Sequence, residues 1–151
     1  MSTTTTTPRW LTDAEQRLWR AWLSSHAGLH LAIQRDLRDN SELSEPEFEV
    51  LVALTEGPAG GVRMSELAQQ LMWDRSRLSH LVTRMCRRGL LERRGCPDDG
   101  RGAFVDVAAE GRRAIERAAP GHVETVRERF VDRLDEQDRA DLCRILAKLQ
   151  D

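Results

Sequence analysis

The sequence predicts a mainly α-helical fold with a small β-hairpin, and three observations support this prediction. Apolar residues recur at helical spacing over most of the 151-residue chain. Residues 90–94 and 103–107 are two short strand-like segments on either side of a turn-rich stretch, which is typical of a hairpin. Residues 65–71 and 75–87 precede the hairpin and form two short amphipathic segments separated by a tight break. We therefore expect a small helical module with a hairpin at one end and longer helices around it.

Caps and apolar spacing predict the helices before this module. Thr12 and Glu15 have the spacing of a capping box, and an apolar stripe continues from them to about Arg38. Ser44 is placed to begin a second helix, which Gly57 ends. Both helices have an apolar side that needs to be buried.

Two further helices are predicted after the hairpin. The first extends from Ala109 to about Leu134, and Pro120 should kink it because proline removes a backbone donor and crowds the preceding turn. Residues 135–138 cap a last helix, which has an apolar side formed by Leu142, Ile145, Leu146 and Leu149. Terminal amphipathic helices around a small module leave apolar faces uncovered within one chain, so we expect them to pair with a second copy.

The two segments before the hairpin have the outline of a helix-turn-helix. Ser65 is in position to cap the first segment, and residues 72–74 interrupt the pattern before the second. One side of the second segment is apolar, with Leu78, Leu81, Val82 and Met85. The opposite side has hydrogen-bonding and positive groups, namely Ser76, His80, Thr83 and Arg87, with Arg77 and Arg84 beside them. This division suits a helix that packs on one side and reads a nucleic acid on the other.

Positive charge is concentrated in residues 75–101. This stretch contains eight arginines and three acidic residues, a net charge of +5 in a chain of net charge −2. Such asymmetry is typical of a protein that binds a polyanion through one surface. We expect base contacts from Ser76, Arg77 and His80. Phosphate or sugar contacts are expected from Arg75, Ser79, Thr83, Arg84 and Arg87, and Arg93 in the hairpin belongs to the same DNA-binding surface.

Four pieces of the sequence follow one another in a specific order. They are residues 64–68, 74–85, 88–93, and 99–101 leading to Gly111. In these pieces the chain resembles MarR-type winged helix-turn-helix transcriptional regulators, and the similarity extends over nearly all of residues 10 to 149. The chain departs from the family pattern at Ala108, where a threonine commonly caps the next helix. The missing cap would cost about 1 kcal/mol unless Asp106 replaces it.

The resemblance implies a mainly α fold with a small β wing, in which a winged helix-turn-helix is flanked by N- and C-terminal dimerisation helices. Residues 44–109 would form the DNA-binding module, and residues 10–38 and 110–151 would form the dimerisation helices. Residues 1–9 would be a disordered tail, in keeping with their threonine run.

The resemblance also implies how such a protein works. A homodimer would place two recognition helices in successive major grooves, about 34 Å apart, on an inverted repeat of double-stranded DNA. Arg101 at the tip of the wing would enter the minor groove, and Asp99 would hold the tip in shape. The common outcome in the family is repression, released by a small amphipathic or phenolic ligand. Candidate residues for such an effector site are Trp19, Trp22, His26, His30 and Phe48.

Two alternatives use the same fold differently. Cys96 lies among Arg93, Arg94 and Arg101, which would lower the pKa of its thiol, so a redox-responsive regulator is one alternative. The other is a winged-helix module that binds an acidic protein partner. The odd number of cysteines, without Cys-x-x-Cys spacing, predicts neither a disulfide framework nor a zinc site.

Other classes of protein lack support in the sequence. It has no glycine-rich phosphate loop, no Gly-x-Ser-x-Gly and no His-Glu-x-x-His, so we expect neither an enzyme nor a cofactor. His26 and His30 are four residues apart, but no further ligand completes a metal site. No apolar run approaches the roughly 20 residues that span a bilayer, and the start has no signal-peptide core. The expected location is cytoplasmic, in association with the nucleoid.

Overall fold

The computed structural model describes residues 8–95 and 102–150. Within these residues the elements follow in the order α1 (Asp13–Asn40), α2 (Glu45–Glu56), β1 (Val62–Arg63), α3 (Met64–Leu71), α4 (Arg75–Arg87), β2 (Leu91–Gly95), β3 (Ala103–Val107), α5 (Ala109–Arg129) and α6 (Glu136–Ala147). The predicted mainly α fold with a small β wing is confirmed. Residues 1–7 of the predicted tail lie outside the described residues.

Capping boxes start the first two helices, as predicted. The Thr12 hydroxyl accepts the Glu15 N–H at 3.3 Å, and the Glu15 carboxylate accepts the Thr12 N–H at 2.8 Å. Ser44 and Glu47 repeat this exchange at the start of α2. Because two otherwise unpaired backbone donors are satisfied at each start, the chain enters both helices at a defined residue. Helix α1 continues to Asn40, slightly beyond its predicted end.

The predicted N-cap of α3 is wrong. Helix α3 begins at Met64, so Ser65 lies inside its first turn and Arg63 precedes the helix. The Glu66 carboxylate accepts the backbone N–H of Arg63 at 3.2 Å and satisfies this end. The start lies earlier because Val62 and Arg63 are already held extended by pairing with β3.

The hairpin is confirmed, and a third strand joins it. Strands β2 and β3 pair antiparallel, with Leu91 opposite Val107, and β1 adds to the other edge of β3. The two-residue strand β1 follows Gly61, which has a φ of +89°. A Cβ on Gly61 would overlap the Val105 carbonyl, so this close approach requires glycine.

Helix α5 differs from its prediction at both ends. Ala108 precedes it without a side-chain cap, and the Asp106 carboxylate accepts the N–H of Val107 instead of one in the helix. The helix continues through Pro120 but ends at Arg129 and not near Leu134. A short 3₁₀ turn follows over Val131–Arg133. The apolar pattern of this region therefore belongs to two elements.

The hydrophobic core lies beneath the helix-turn-helix and the hairpin. Its largest fully buried side chains are Leu37, Leu51, Leu67, Leu78, Met85, Val50, Val82 and Val105. Helix α5 packs along α1 and joins this core through Ala114 and Ala118. The core positions α4 and the hairpin against each other.

The two ends of the chain contribute little to this core. Helix α1 buries only Ile33 and Leu37 within the chain, and α6 buries none of its residues. Large apolar side chains on these terminal segments are exposed, including Leu18, Trp19, Trp22, Leu23, Leu31, Ile145 and Leu149. None of the described helices combines the length and the apolar character needed to cross a membrane.

Candidate nucleic-acid interface

Helix α4 divides into a buried and an open side, as its sequence predicted. Leu78, Val82 and Met85 have no exposed surface, and Leu81 is 6 % exposed. The predicted contact residues Arg75, Ser76, Arg77, His80, Arg84 and Arg87 are exposed, and Ser79 and Thr83 are partly exposed. The helix therefore presents a row of donors and positive charges on the side away from the core.

The break before α4 brings an aromatic ring beneath one of these arginines. Met72 adopts the left-handed conformation with φ +54° and ends α3. The backbone N–H of Trp73 then donates to the Ala68 carbonyl at 2.9 Å. The guanidinium carbon of Arg77 lies 4.3 Å from the centroid of the Trp73 ring. This is a cation–π contact, which restricts the directions that Arg77 can take.

A hydrogen bond joins the recognition helix to the hairpin. The Arg93 guanidinium in β2 donates to the Ser79 hydroxyl at 3.2 Å. The Thr83 hydroxyl donates to the Ser79 carbonyl at 2.8 Å within α4, so its hydrogen is already used by the helix. Arg93 and Ser79 consequently form one continuous polar surface.

Among the described arginines of residues 75–101, two form hydrogen bonds with groups outside α4 and the hairpin. Arg88 forms an ion pair with Glu47 at 2.5 Å and donates to the Glu42 carbonyl at 2.9 Å. Arg94 donates to the Gly60 carbonyl at 2.5 Å and anchors the hairpin to the turn before β1. The basic surface open to a ligand is therefore smaller than the sequence count indicated.

Three predicted residues lie outside the described part of the chain: Cys96, Asp99 and Arg101. Cys86, at the end of α4, is partly buried. Burial raises the pKa of the Cys86 thiol, and the positive charge of Arg93 offsets part of this effect. The thiol of Cys86 is therefore poorly suited to act as a reactive thiolate.

The candidate effector residues fall into two groups. Trp22 and His26 stack with their centroids 6.1 Å apart, and His26 and His30 meet edge to face at 4.3 Å. The Nδ1 atom of His30 lies 2.5 Å from a carboxylate oxygen of Glu45 and so connects α1 to α2. Trp19 is 52 % exposed on α1. The structure thus brings Trp22, His26 and His30 into one row of rings.

Phe48, the remaining candidate, lies in a different environment. It is buried, and its ring centroid is 4.5 Å from that of His122 on α5. The Nδ1 atom of His122 is buried and has no hydrogen-bond partner among residues 8–95 and 102–150, and burial lowers the pKa of His122. His122 was not singled out from the sequence, because a single histidine within a helix has no characteristic pattern.

The residues described by the structure contain no group of three or more histidine, cysteine or acidic side chains arranged to hold a metal ion.

A helix-turn-helix with an exposed basic second helix and a three-stranded wing defines a winged helix-turn-helix protein. Comparison with known proteins then identifies the family.

The family model described as MarR family matches residues 41–102. The structure is similar to AbsC, a MarR family transcriptional regulator from Streptomyces coelicolor, with 37 % identity, a TM-score of 0.88, and coverage of 94 % of this chain and 95 % of that chain. It is also similar to Sco3205, a MarR family transcriptional regulator from the same organism solved in complex with DNA. That match has 36 % identity and a TM-score of 0.90, and it covers 96 % of this chain and 91 % of the other.

The transcriptional regulator HosA of Escherichia coli O111:H- is 28 % identical over 108 residues, covering 72 % of this chain and 78 % of HosA. The chain belongs to the MarR family and is a winged-helix transcriptional regulator. Members of this family regulate transcription and are not enzymes.

Proposed function

We propose that this regulator binds double-stranded DNA in a sequence-specific manner, with α4 in the major groove and the hairpin beside it. The observation that carries the proposal is the open side of α4, which displays donors and positive charge and continues into the hairpin through Arg93 and Ser79. The DNA complex of Sco3205, at 36 % identity, supports it further. The major groove admits an α-helix and displays a distinct pattern for each base pair.

The proposed roles follow the position of each side chain on α4. Ser76, Arg77 and His80 are exposed near the start of the helix and are assigned to base contacts. Phosphate or sugar contacts are assigned to Arg75, Ser79, Thr83, Arg84, Arg87 and Arg93. The minor-groove role of Arg101 and the supporting role of Asp99 rest on the sequence alone.

We infer that the active form is a homodimer that binds an inverted repeat. The large apolar side chains on α1 and α6 support this, because they remain exposed in a single copy of the chain. A two-fold axis would place two copies of α4 about 34 Å apart, one turn of B-form DNA. Residues 10–38 and 110–151 would then serve dimerisation, and residues 44–109 would bind DNA at the nucleoid.

Repression with release by an effector is proposed as the regulatory mode. The row of Trp22, His26 and His30 lies on α1, which would belong to the dimer, and the contact of His30 with Glu45 leads to α2 of the DNA-binding module. A small amphipathic or phenolic ligand at these rings would change DNA affinity only by binding one arrangement of α1 and α2 more tightly than the other.

The experiment is to select bound fragments from genomic DNA, and then to titrate the recovered site in mobility-shift assays at two salt concentrations. We expect an inverted repeat and a steep loss of affinity with salt, because each phosphate contact releases counterions. Arg84→Ala should weaken binding, whereas Arg38→Ala on α1 should not. Absence of any enriched fragment, or capture of an acidic protein with little dependence on salt, would contradict the proposal.

A further inference from the structure

Three arginines from three different elements surround one concave surface between the helix-turn-helix and the hairpin. Arg63 ends β1, Arg75 begins α4, and Arg93 lies in β2. The concavity has a volume of about 520 Å³, and its lining also includes the hydroxyl side chains of Ser65 and Ser79. We call these five residues the junction site.

The described lining of the junction site is rich in basic residues. None of the described residues that line it is acidic. Arg75 and Arg93 form no ion pair with any residue in 8–95 or 102–150. A concave surface with three guanidinium groups and no acidic residue in its described lining favours an anionic ligand.

Neighbouring groups help to position two of these arginines. The guanidinium carbon of Arg63 lies 5.3 Å from the centroid of the Phe104 ring, on the paired strand β3. Arg93 is held by its hydrogen bond to Ser79. Stacking on a ring restricts the directions that a guanidinium can take. The geometry is therefore partly preorganised before any ligand binds.

We propose that the junction site binds one phosphodiester of the DNA backbone, and that it holds the recognition helix and the hairpin on the same phosphate. This inference rests on the proposed function and adds Arg63 and Ser65, which precede the recognition helix, to the interface. Guanidinium groups match phosphate oxygens with paired donors, and hydroxyl groups supply single ones. The volume also leaves room for the sugars on either side of the phosphate.

The test uses the full chain and its selected DNA site, with one phosphate in each half-site replaced at a time by an uncharged methylphosphonate. At one position we expect the replacement to weaken wild-type binding roughly tenfold, since it removes charge-assisted hydrogen bonds. The same replacement should weaken binding by the Arg63→Ala variant less than it weakens wild-type binding, because one of the contacts to that phosphate is already lost. The salt dependence of that variant should fall by about 0.9 per phosphate contact removed.

Two further variants and one control keep the result interpretable. Arg63→Gln and Arg75→Ala alter the site separately and should single out the same phosphate as Arg63→Ala. Arg38→Ala removes an exposed arginine on α1 and should leave the wild-type pattern unchanged. Thermal unfolding of each variant shows whether it still folds.

The outcomes separate this inference from the proposed function. Suppose that the wild type binds its site, but that each methylphosphonate lowers the DNA affinity of the Arg63→Ala and Arg75→Ala variants by the same factor as that of the wild type. The junction site then does not hold a particular phosphate. A wild type that binds no duplex would contradict both.

Discussion

Arg77 lies over the ring of Trp73, with its guanidinium carbon 4.3 Å from the ring centroid, and the two residues connect the turn of the helix-turn-helix to its recognition helix. Trp73 itself is packed against the core, so the ring is a fixed platform. A long arginine side chain on an exposed helix otherwise samples many rotamers. The contact therefore aims the one arginine that we assign to base reading.

We predict that Trp73→Leu weakens DNA binding about two- to fivefold through Arg77. A cation–π contact at an exposed site contributes roughly 0.5–1 kcal/mol, which corresponds to this change in affinity. A double-mutant cycle with Arg77→Ala, measured by fluorescence anisotropy, isolates this coupling. Equal losses from Trp73→Leu with and without Arg77 would show that the ring serves only the fold.

We predict that Arg88 contributes to stability and not to DNA binding. Its partner Glu47 is 8 % exposed, so removing Arg88 leaves a nearly buried carboxylate without its cation. Arg88→Ala should lower the free energy of unfolding by about 2 kcal/mol, less than for a fully buried pair because Arg88 is partly solvated. Urea unfolding measures this change.

The control for Arg88 is its neighbour Arg87, which is exposed on the open side of α4. Arg87→Ala should change the free energy of unfolding by less than about 0.5 kcal/mol, as expected for a surface position, but should weaken DNA binding. If Arg88→Ala leaves stability intact and weakens DNA binding as much as Arg87→Ala, our assignment of Arg88 is incorrect.

His122 is predicted to make stability depend on pH. Burial lowers its pKa in the folded state, so the unfolded chain binds the proton more readily. The stabilising effect of the neutral ring is complete above the unfolded pKa of about 6.5 and is lost as the pH falls through the folded pKa. The nearby charges of Asp36 and Glu45 oppose the effect but are weaker causes than burial.

The comparison for His122 is His122→Phe, which keeps a ring beside Phe48 and cannot titrate. Between pH 7 and pH 5 the wild type should lose more of its free energy of unfolding than this variant does. Urea unfolding across that range provides the test, and parallel curves for the two proteins would refute the assignment.

Local patterns allowed the winged helix-turn-helix to be predicted from sequence. Residues close together in the chain set the apolar spacing of α4, the capping box at Thr12, the helix start at Ser44 and the short strand segment of β3. Gly89 follows the end of α4 with a φ of +74°, as is common for a glycine after a helix. These features need no knowledge of distant partners.

The features missed by sequence analysis depend on residues far apart in the chain. Arg88 meets Glu47 across 41 positions, and Arg94 meets Gly60 across 34, so the local charge count included two arginines that bind elsewhere in the chain. The short strand β1 exists only because β3 pairs with it, and this pairing also moved the start of α3 away from Ser65. Arg63 joins the junction site for the same reason.

The apolar side of α6 provides the sharpest test of the proposed dimer. Because α6 buries none of its residues within the chain, Ile145→Glu should leave the fold of one subunit intact. In a symmetric dimer the change occurs twice, and each copy removes at least about 1.5 kcal/mol of apolar burial. The dissociation constant of the dimer should therefore rise by roughly a hundredfold or more.

Sedimentation velocity over a range of concentrations measures this dissociation constant, and Lys148→Glu at an exposed position is the charge control. A wild type that sediments as a monomer at micromolar concentration, or an Ile145→Glu variant that stays as dimeric as Lys148→Glu, would show that α6 does not form the dimer interface.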